Sequence, residues 1–555
     1  MSETLKRVPF HLRRYVVAQD YGAYDEIDQA VWKFVLRHTN AVLGDSAHPA
    51  YRVGLERMGI TLDRIPVLVE MDRRLTEQGW GAVCVDGFIP PRAFQELQAC
   101  SILPIAADIR SLDHLAYTPA PDIIHEAAGH APILADLEYA AFLRRIGEVG
   151  YRSFALPHDE AVYQAIYALS VVKERAGVTA AEVRASERAL SDAVAAVSGV
   201  SEAARVARLY WWTVEYGLVG SPSDYSIYGA GILSSLGESH FCHAPAVEKR
   251  VLDASCVDVD YDITRAQPQL FVTESFAHLM EVLEQVEAGL SQARGGVAGL
   301  EVAQASGEVA CVELASGLQI TGKLLGFERR STSGNACHAS GLHFGPGWAL
   351  SLGGTPVAGF AGEDAADAPL TLALLPQAEA MGLEGPGAAP VEGTEVVRAE
   401  DDTPLAWVNR RAFKRDVGGG PQVHLVAAGQ RVGRVSAGPA FPEYFPPTSA
   451  NPKRVPVPKV LSPERCELLK LYERAYSAFR QQLGPACVPL FESIHERLVV
   501  AHPREWLLRF HLLDSLITLG ERSRLTVELA RELRALEGVY RGEQPIATAL
   551  AGLPG

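Results

Sequence analysis

In "DEIDQAVWKFVLRHTNAVL", residues 25–43, apolar side chains recur at Ile27, Ala30, Val31, Phe34 and Val35, which places them on one face of a helix. The runs "PRAFQELQAC", "EYAAFLRRIGEVG", "DEAVYQAIYALSVVKERA" and "AAEVRASERALSDAVAAV" keep that period, so residues 1–290 are expected to be a mainly α domain. From about 295 to 440 the pattern changes. Glycine becomes frequent, and "GEVACVELASGLQITGKLLGF" reads as two strands joined around "ASG". "GTEVVRA" and "PQVHLVAAGQRVGRV" look similar, and together they predict a small β-rich domain over 295–440. The Pro-rich stretch 441–463 reads as an extended linker. Beyond it Ser462-Pro463 supplies an N-cap and a proline at the first helical position. Leu468, Tyr472, Ala475, Tyr476, Phe479 and Leu483 then mark one helical face, closed by Gly484-Pro485. "REWLLRFHLLDSLITLG" and "RLTVELARELRALEGVY" add helices to a third, helical domain over 464–555 in which no chemistry is visible.

Composition narrows the class. A chain of 555 residues exceeds one ordinary core, and 48% hydrophobic with 21% charged residues is the balance of a folded protein. A net charge of −16 argues against a nucleic-acid or anionic-membrane partner, because phosphate binding needs a basic face. No apolar run reaches the roughly 18 residues that span a bilayer, and "MSETLKRVPF" has no signal-peptide apolar region. The eight cysteines (84, 100, 242, 256, 311, 337, 466 and 487) are scattered, as in reduced, buried thiols rather than a disulfide framework. A cytoplasmic protein is expected.

The chemistry concentrates in "TPAPDIIHEAAGHAP", residues 118–132. Asp122 or Thr118 is expected to cap a helix with the body "IIHEAA", Gly129 to end it in a left-handed conformation, and Pro132 to prevent its continuation. A five-residue step on an ideal α-helix rotates by about 140°. His125 and His130 would therefore face one metal only if the glycine break lets the second swing back, unlike the four-residue spacing of HExxH peptidases. Glu215, inside the apolar run "LYWWTVEYGLVG", is costly unless paired or metal-bound. Two imidazoles and one carboxylate make the facial triad of non-haem Fe(II) sites, although spacing alone does not choose iron over zinc. A zinc hydrolase with Glu126 as general base and a non-catalytic binding protein are the rival readings. Cys337, His338 and His343 lie close together without an obvious fourth ligand, and "GGG" at 418–420 lacks the Lys-Ser/Thr of a phosphate loop.

Residues 79–276 resemble the pterin-dependent aromatic amino acid hydroxylases through "YTPAPDIIHEAAGH", "LYWWTVEYGL", "IYGAGILSSLGE" and "QPQLFVTESF", in the family's order and separations. A weaker likeness runs back to about residue 13 through "AVWKFVLRH" and "RIPVLVEMDRRL". The resemblance implies ring hydroxylation with Fe(II), O2 and tetrahydrobiopterin or a related reduced pterin. It implies His125, His130 and Glu215 as iron ligands, and Arg110 with Asp122 holding the amino acid carboxylate, assisted by Thr118 and Ser234. Trp211, Pro121 and Tyr216 would wall the ring pocket. Phe94 would stack on the pterin, with Gly87, Ile89 and Glu126 contacting it. Trp211 stands where phenylalanine and tyrosine hydroxylases carry Trp, and Ile263 where tyrosine hydroxylases carry Asp; together they favour phenylalanine over tyrosine or tryptophan. Tyr216 departs from the family's commoner Phe. Pro104 replaces the His of animal members, as in bacterial ones. Nothing in the family accounts for 295–555, whose helices are candidates for homo-oligomer contacts.

Overall fold

The computed structural model describes residues 2–112, 115, 121–174, 178–263, 265–331, 337–358, 360, 369–375, 394–399, 401, 403–409, 423–428, 430–441, 462–481 and 484–537. Most of the linker expected at 441–463, as well as Thr118, Leu483 and the glycines at 418–420, falls outside these.

Helix α1 (Glu26–Leu43) opens the hydroxylase-like half. Asp25 caps it by accepting from the amides of Ile27 and Asp28, while Asp28 accepts from the amide of Asp25. The predicted stripe is buried, but so are Trp32, Lys33 and Leu36. A helix buried on more than one face must be covered from both sides. One cover is the core of residues 1–290. The other is the C-terminal region.

Strands β1 (Gly81–Val85) and β2 (Ile102–Ala106) pair in parallel through helix α2 (Pro91–Ala99), a βαβ unit. α2 lies tightly against α3 (Leu137–Tyr151): a Cβ at Gly147 would sit 2.7 Å from the carbonyl oxygen of Gln95. α4 (Glu202–Tyr210), α5 (Ala230–Leu233) and α6 (Leu236–Phe241) complete the elements around the site.

The β-rich region has its own core. Strands β3 (Val309–Leu314) and β4 (Leu318–Ser331) form the predicted antiparallel pair, and β5 (Val432–Ala437) adds to the other edge of β3. They belong to a ten-stranded sheet, larger than the alternating runs suggested. A helix, Gly296–Ser306, precedes the strands, and its Leu300 and Ala303 join the sheet's core, as does Phe154 from the other half.

The C-terminal helices α7 (Pro463–Arg480), α8 (Val488–Ala501), α9 (Leu507–Thr518) and α10 (Arg524–Glu537) share one hydrophobic core with the N-terminal half. The predicted cap is present, Ser462 Oγ accepting from the Arg465 amide. Phe34 of α1 meets Trp506 and Phe510 edge-on, with ring centroids 4.9 and 5.0 Å away. Arg37 bridges Asp63 and Asp514. Their packed faces lie inside the chain, while Val499, Val500, Ile517 and Val527 remain exposed. Among the described residues, no helix is long and apolar enough to cross a membrane.

Candidate active site

The segment Ile124–His130 is a π-helical turn, in which the Ala131 amide donates to the Glu126 carbonyl five residues back. In such a turn a residue lies over the one five before it. This resolves the five-residue spacing without a break. Gly129 does not end the helix in a left-handed conformation, and Pro132 sits in the short helix that continues it, Ala131–Ile133. Gly129 serves instead for close approach, since a Cβ there would lie 2.9 Å from the Ala230 carbonyl oxygen of α5. A second π-turn, Trp211–Glu215, extends α4, with the Tyr216 amide donating to the Trp211 carbonyl at 2.9 Å. It sets Tyr216 against Trp211, centroids 4.7 Å apart and rings tilted by 34°, and brings Glu215 to the two histidines.

The two turns bring His125, His130 and Glu215 together, with ligand atoms all within 4.8 Å of one another. The two Nε2 atoms are 3.0 Å apart, and each lies 3.3 Å from a Glu215 oxygen. Burial alone would raise the Glu215 carboxyl, but the two imidazoles hold it well below the usual range. Ser234 Oγ lies 2.7 Å from the Ala230 carbonyl, to which it donates its only proton, and 3.0 Å from His125 Nδ1. It must then accept from Nδ1–H, which leaves the Nε2 lone pair facing the cluster. Two imidazoles and a carboxylate form a three-donor face that suits Fe(II) with open positions.

Arg110 and Asp122 form a buried bidentate pair: Nε donates to Oδ2 and Nη2 to Oδ1, both at 2.8 Å. Burial pushes the Asp122 carboxyl up, and the Arg110 guanidinium more than reverses it, so it stays below its ordinary value. Asp122 Oδ1 also accepts from the His125 amide, and Arg110 Nη1 donates to the Ser234 carbonyl. The Arg110–Asp122 pair and the His125–His130–Glu215 cluster thus share one network.

These groups line a cavity of about 330 Å³. Gly87, Ile89 and Phe94 form one wall with Pro104; Pro121, Trp211 and Tyr216 form another. Glu126 faces in with an Oε2 that has no hydrogen-bond partner, and burial pushes its carboxyl up to about 8. Ile263 is not among the lining residues. Tyr261, two positions earlier, is, and its ring stacks on Trp211 at 4.3 Å and 12°. Gln267 accepts from the Trp211 indole N–H at 3.3 Å. Sequence reasoning assigned neither a role, although Gln267 opens the quoted run "QPQLFVTESF"; Tyr261 left no signal beyond being an aromatic residue shortly ahead of it.

Residues 17–170 and 189–294 match the family described as biopterin-dependent aromatic amino acid hydroxylase. The matched half of the chain belongs to this family. Among curated relatives, phenylalanine-4-hydroxylase of Chromobacterium violaceum is 29% identical over 270 residues, 48% of this chain and 76% of that protein. The Mesorhizobium japonicum enzyme of the same name is 29% identical over 285 residues, 49% of this chain and 84% of the relative. A crystal structure of the C. violaceum enzyme with iron(III) and 7,8-dihydrobiopterin covers 52% of this chain and 91% of its own, at 25% identity and a TM-score of 0.39. The family match ends at residue 294, before the β-rich region, and passes over 171–188.

Proposed function

We propose that the chain is a non-haem Fe(II), tetrahydropterin- and O2-dependent monooxygenase that hydroxylates L-phenylalanine to L-tyrosine, with tryptophan or tyrosine as the alternative ring substrates. The observation that carries this is the convergence of His125, His130 and Glu215 at a small aromatic-walled cavity, in a half-chain of the biopterin-dependent family. On this reading those three hold Fe(II), which together with the pterin supplies the activation of O2. The protein's part is alignment and exclusion.

Arg110, held by Asp122, offers its remaining N–H donors to the substrate carboxylate; Thr118 and Ser234 assist. Pro121, Trp211 and Tyr216 confine the ring, and the Tyr261–Trp211 stack with Gln267 keeps the indole from turning. Gly87, Ile89 and Phe94 contact the flat pterin, and the unpartnered Glu126 oxygen faces its polar edge as hydrogen-bonding partner. The partners are small molecules and the compartment cytoplasmic. The three-part division into 1–290, 295–440 and 464–555 is retained as an organisation of sequence, the last part acting as a cover for the first.

The test is anaerobic loading with Fe(II), then O2, a reduced tetrahydropterin and Phe, Tyr or Trp in turn, with products identified by mass. Tyrosine from phenylalanine, absent in His125→Ala, is the expected result. Hydroxylation only of tyrosine or tryptophan overturns the substrate, and no product from any ring overturns the activity.

A further inference from the structure

Helix α2 grips one residue of the cavity wall at two points. Phe94 and Gln98, four residues apart on α2, both touch Tyr210, the last residue of α4, whose ring lines the cavity. Phe94 meets that ring edge-on, centroids 6.3 Å apart and planes 79° apart, and Gln98 Nε2 donates to the Tyr210 hydroxyl at 2.8 Å. Gln98 is fully buried, and its Oε1 has no hydrogen-bond partner. A half-satisfied amide in a dry interior weakens the fold, and an apolar side chain of the same length would not. Such a group calls for a role beyond packing. Its base is held by α3, where a Cβ at Gly147 would lie 3.1 Å from the Gln98 Cβ.

The contact dictates where the Tyr210 proton goes. A phenol oxygen carries one proton and accepts through its lone pairs, so with the Gln98 N–H on the accepting side the O–H points away from it. Among the described residues that O–H has no protein acceptor. Burial, with the negative charges of Glu215 and Glu126 at the same cavity, keeps the hydroxyl protonated. We propose that Gln98 is a positioning residue: it holds the Tyr210 hydroxyl as a hydrogen-bond donor into the cavity, at the wall where Phe94 takes the pterin, so that the donor meets an acceptor of the pterin ring. This rests on the pterin reading of the cavity above.

The test measures 7,8-dihydrobiopterin binding to the full-length, iron-loaded protein by calorimetry, beside urea unfolding, for the parent, Gln98→Met, Tyr210→Phe and the double variant. Gln98→Met should weaken binding roughly 2–10-fold, the worth of one hydrogen bond, while the urea midpoint holds or rises because the unpaired Oε1 is gone. In the Tyr210→Phe background the same change should have no further effect on binding. Binding unchanged by Gln98→Met, or weakened equally with and without the Tyr210 hydroxyl, makes Gln98 a packing residue and overturns the proposal. A parent that binds no dihydrobiopterin overturns the pterin reading instead. The hydroxyl itself is followed without any ligand through the tyrosine doublet in the Raman difference between parent and Tyr210→Phe; a doublet indifferent to Gln98→Met overturns the donor orientation.

Discussion

Gly129→Ala tests whether helix approach is what fixes the triad. The added Cβ would meet the Ala230 carbonyl oxygen at 2.9 Å, its Cβ at 3.2 Å and its Cα at 3.3 Å. Two of these are backbone atoms, so α5 must move as a unit. Overpacking of this kind costs about 1–3 kcal/mol, while alanine recovers about 1 kcal/mol over glycine in a helix. The net loss of stability is then small, about 0–2 kcal/mol. The larger effect falls on the metal. Displacing α5 carries away Ser234, which follows it and fixes the His125 tautomer through Nδ1. Losing such a supporting hydrogen bond lowers metal affinity about 10–100-fold. Urea titration gives the stability and chelator competition the Fe(II) affinity. A variant about 1 kcal/mol more stable than the parent, with iron binding unchanged, would refute the reasoning.

Ser234→Ala should lower Fe(II) affinity by the same 10–100-fold without the clash, and should cost about 1–3 kcal/mol in urea titration because the His125 Nδ1–H loses its acceptor; equal iron binding would remove the tautomer argument. Burial pushes the Glu238 carboxyl from 4.5 up to about 7, so the folded chain keeps a proton that the unfolded chain releases. Stability should fall as pH climbs from about 4.5 to 7, by at most about 3 kcal/mol, and Glu238→Gln should flatten that slope in pH-dependent urea titrations. His511 runs the other way: burial holds it at about 3, so stability is lost as pH falls from about 6.5 toward 3, a loss His511→Gln should lessen. Phe34→Ala should cost about 3–5 kcal/mol by opening a cavity against Trp506 and Phe510, and should expose the C-terminal helices to protease before the β-rich region.

The grouping of His125, His130 and Glu215 was legible in the sequence only through its residue types. The spacing of His125 and His130 looked wrong for a helix because the expected geometry was α; the π-turn that corrects it is a backbone state with no residue signature of its own. Gly129 was noticed and misread, because a glycine needed for close approach to a distant helix looks locally the same as one needed for a left-handed turn. Tyr261 and Gln267 could not be found by periodicity, since they reach Trp211 across more than 45 residues of chain from an irregular stretch. The strands of the β-rich region were visible where side chains alternate, and their joining into one sheet was not, because pairing partners are set by tertiary contact rather than local pattern.

The C-terminal helices bear on the site through α1. The charge buried on that helix shows the direction of dependence. Lys33 is buried, and burial pulls its ammonium below its ordinary range; its head lies over the Phe479 ring at 5.2 Å and 4.0 Å from Asp514. Both partners are C-terminal. His511 donates from Nε2 to the Ala30 carbonyl, 3.0 Å away, and its Nδ1 has no hydrogen-bond partner. Without α7 and α9, α1 would expose Phe34 and keep a lysine on an apolar face; without α1, His511 would lose the acceptor for its buried N–H. Neither surface is complete alone. On its other side α1 packs against α6, the helix that follows Ser234 and Ser235 of the cavity wall. Between the C-terminal helices and the residue that fixes the His125 tautomer therefore stand α1 and its packing against α6, the contact that His38 and His240 span with a 2.9 Å hydrogen bond.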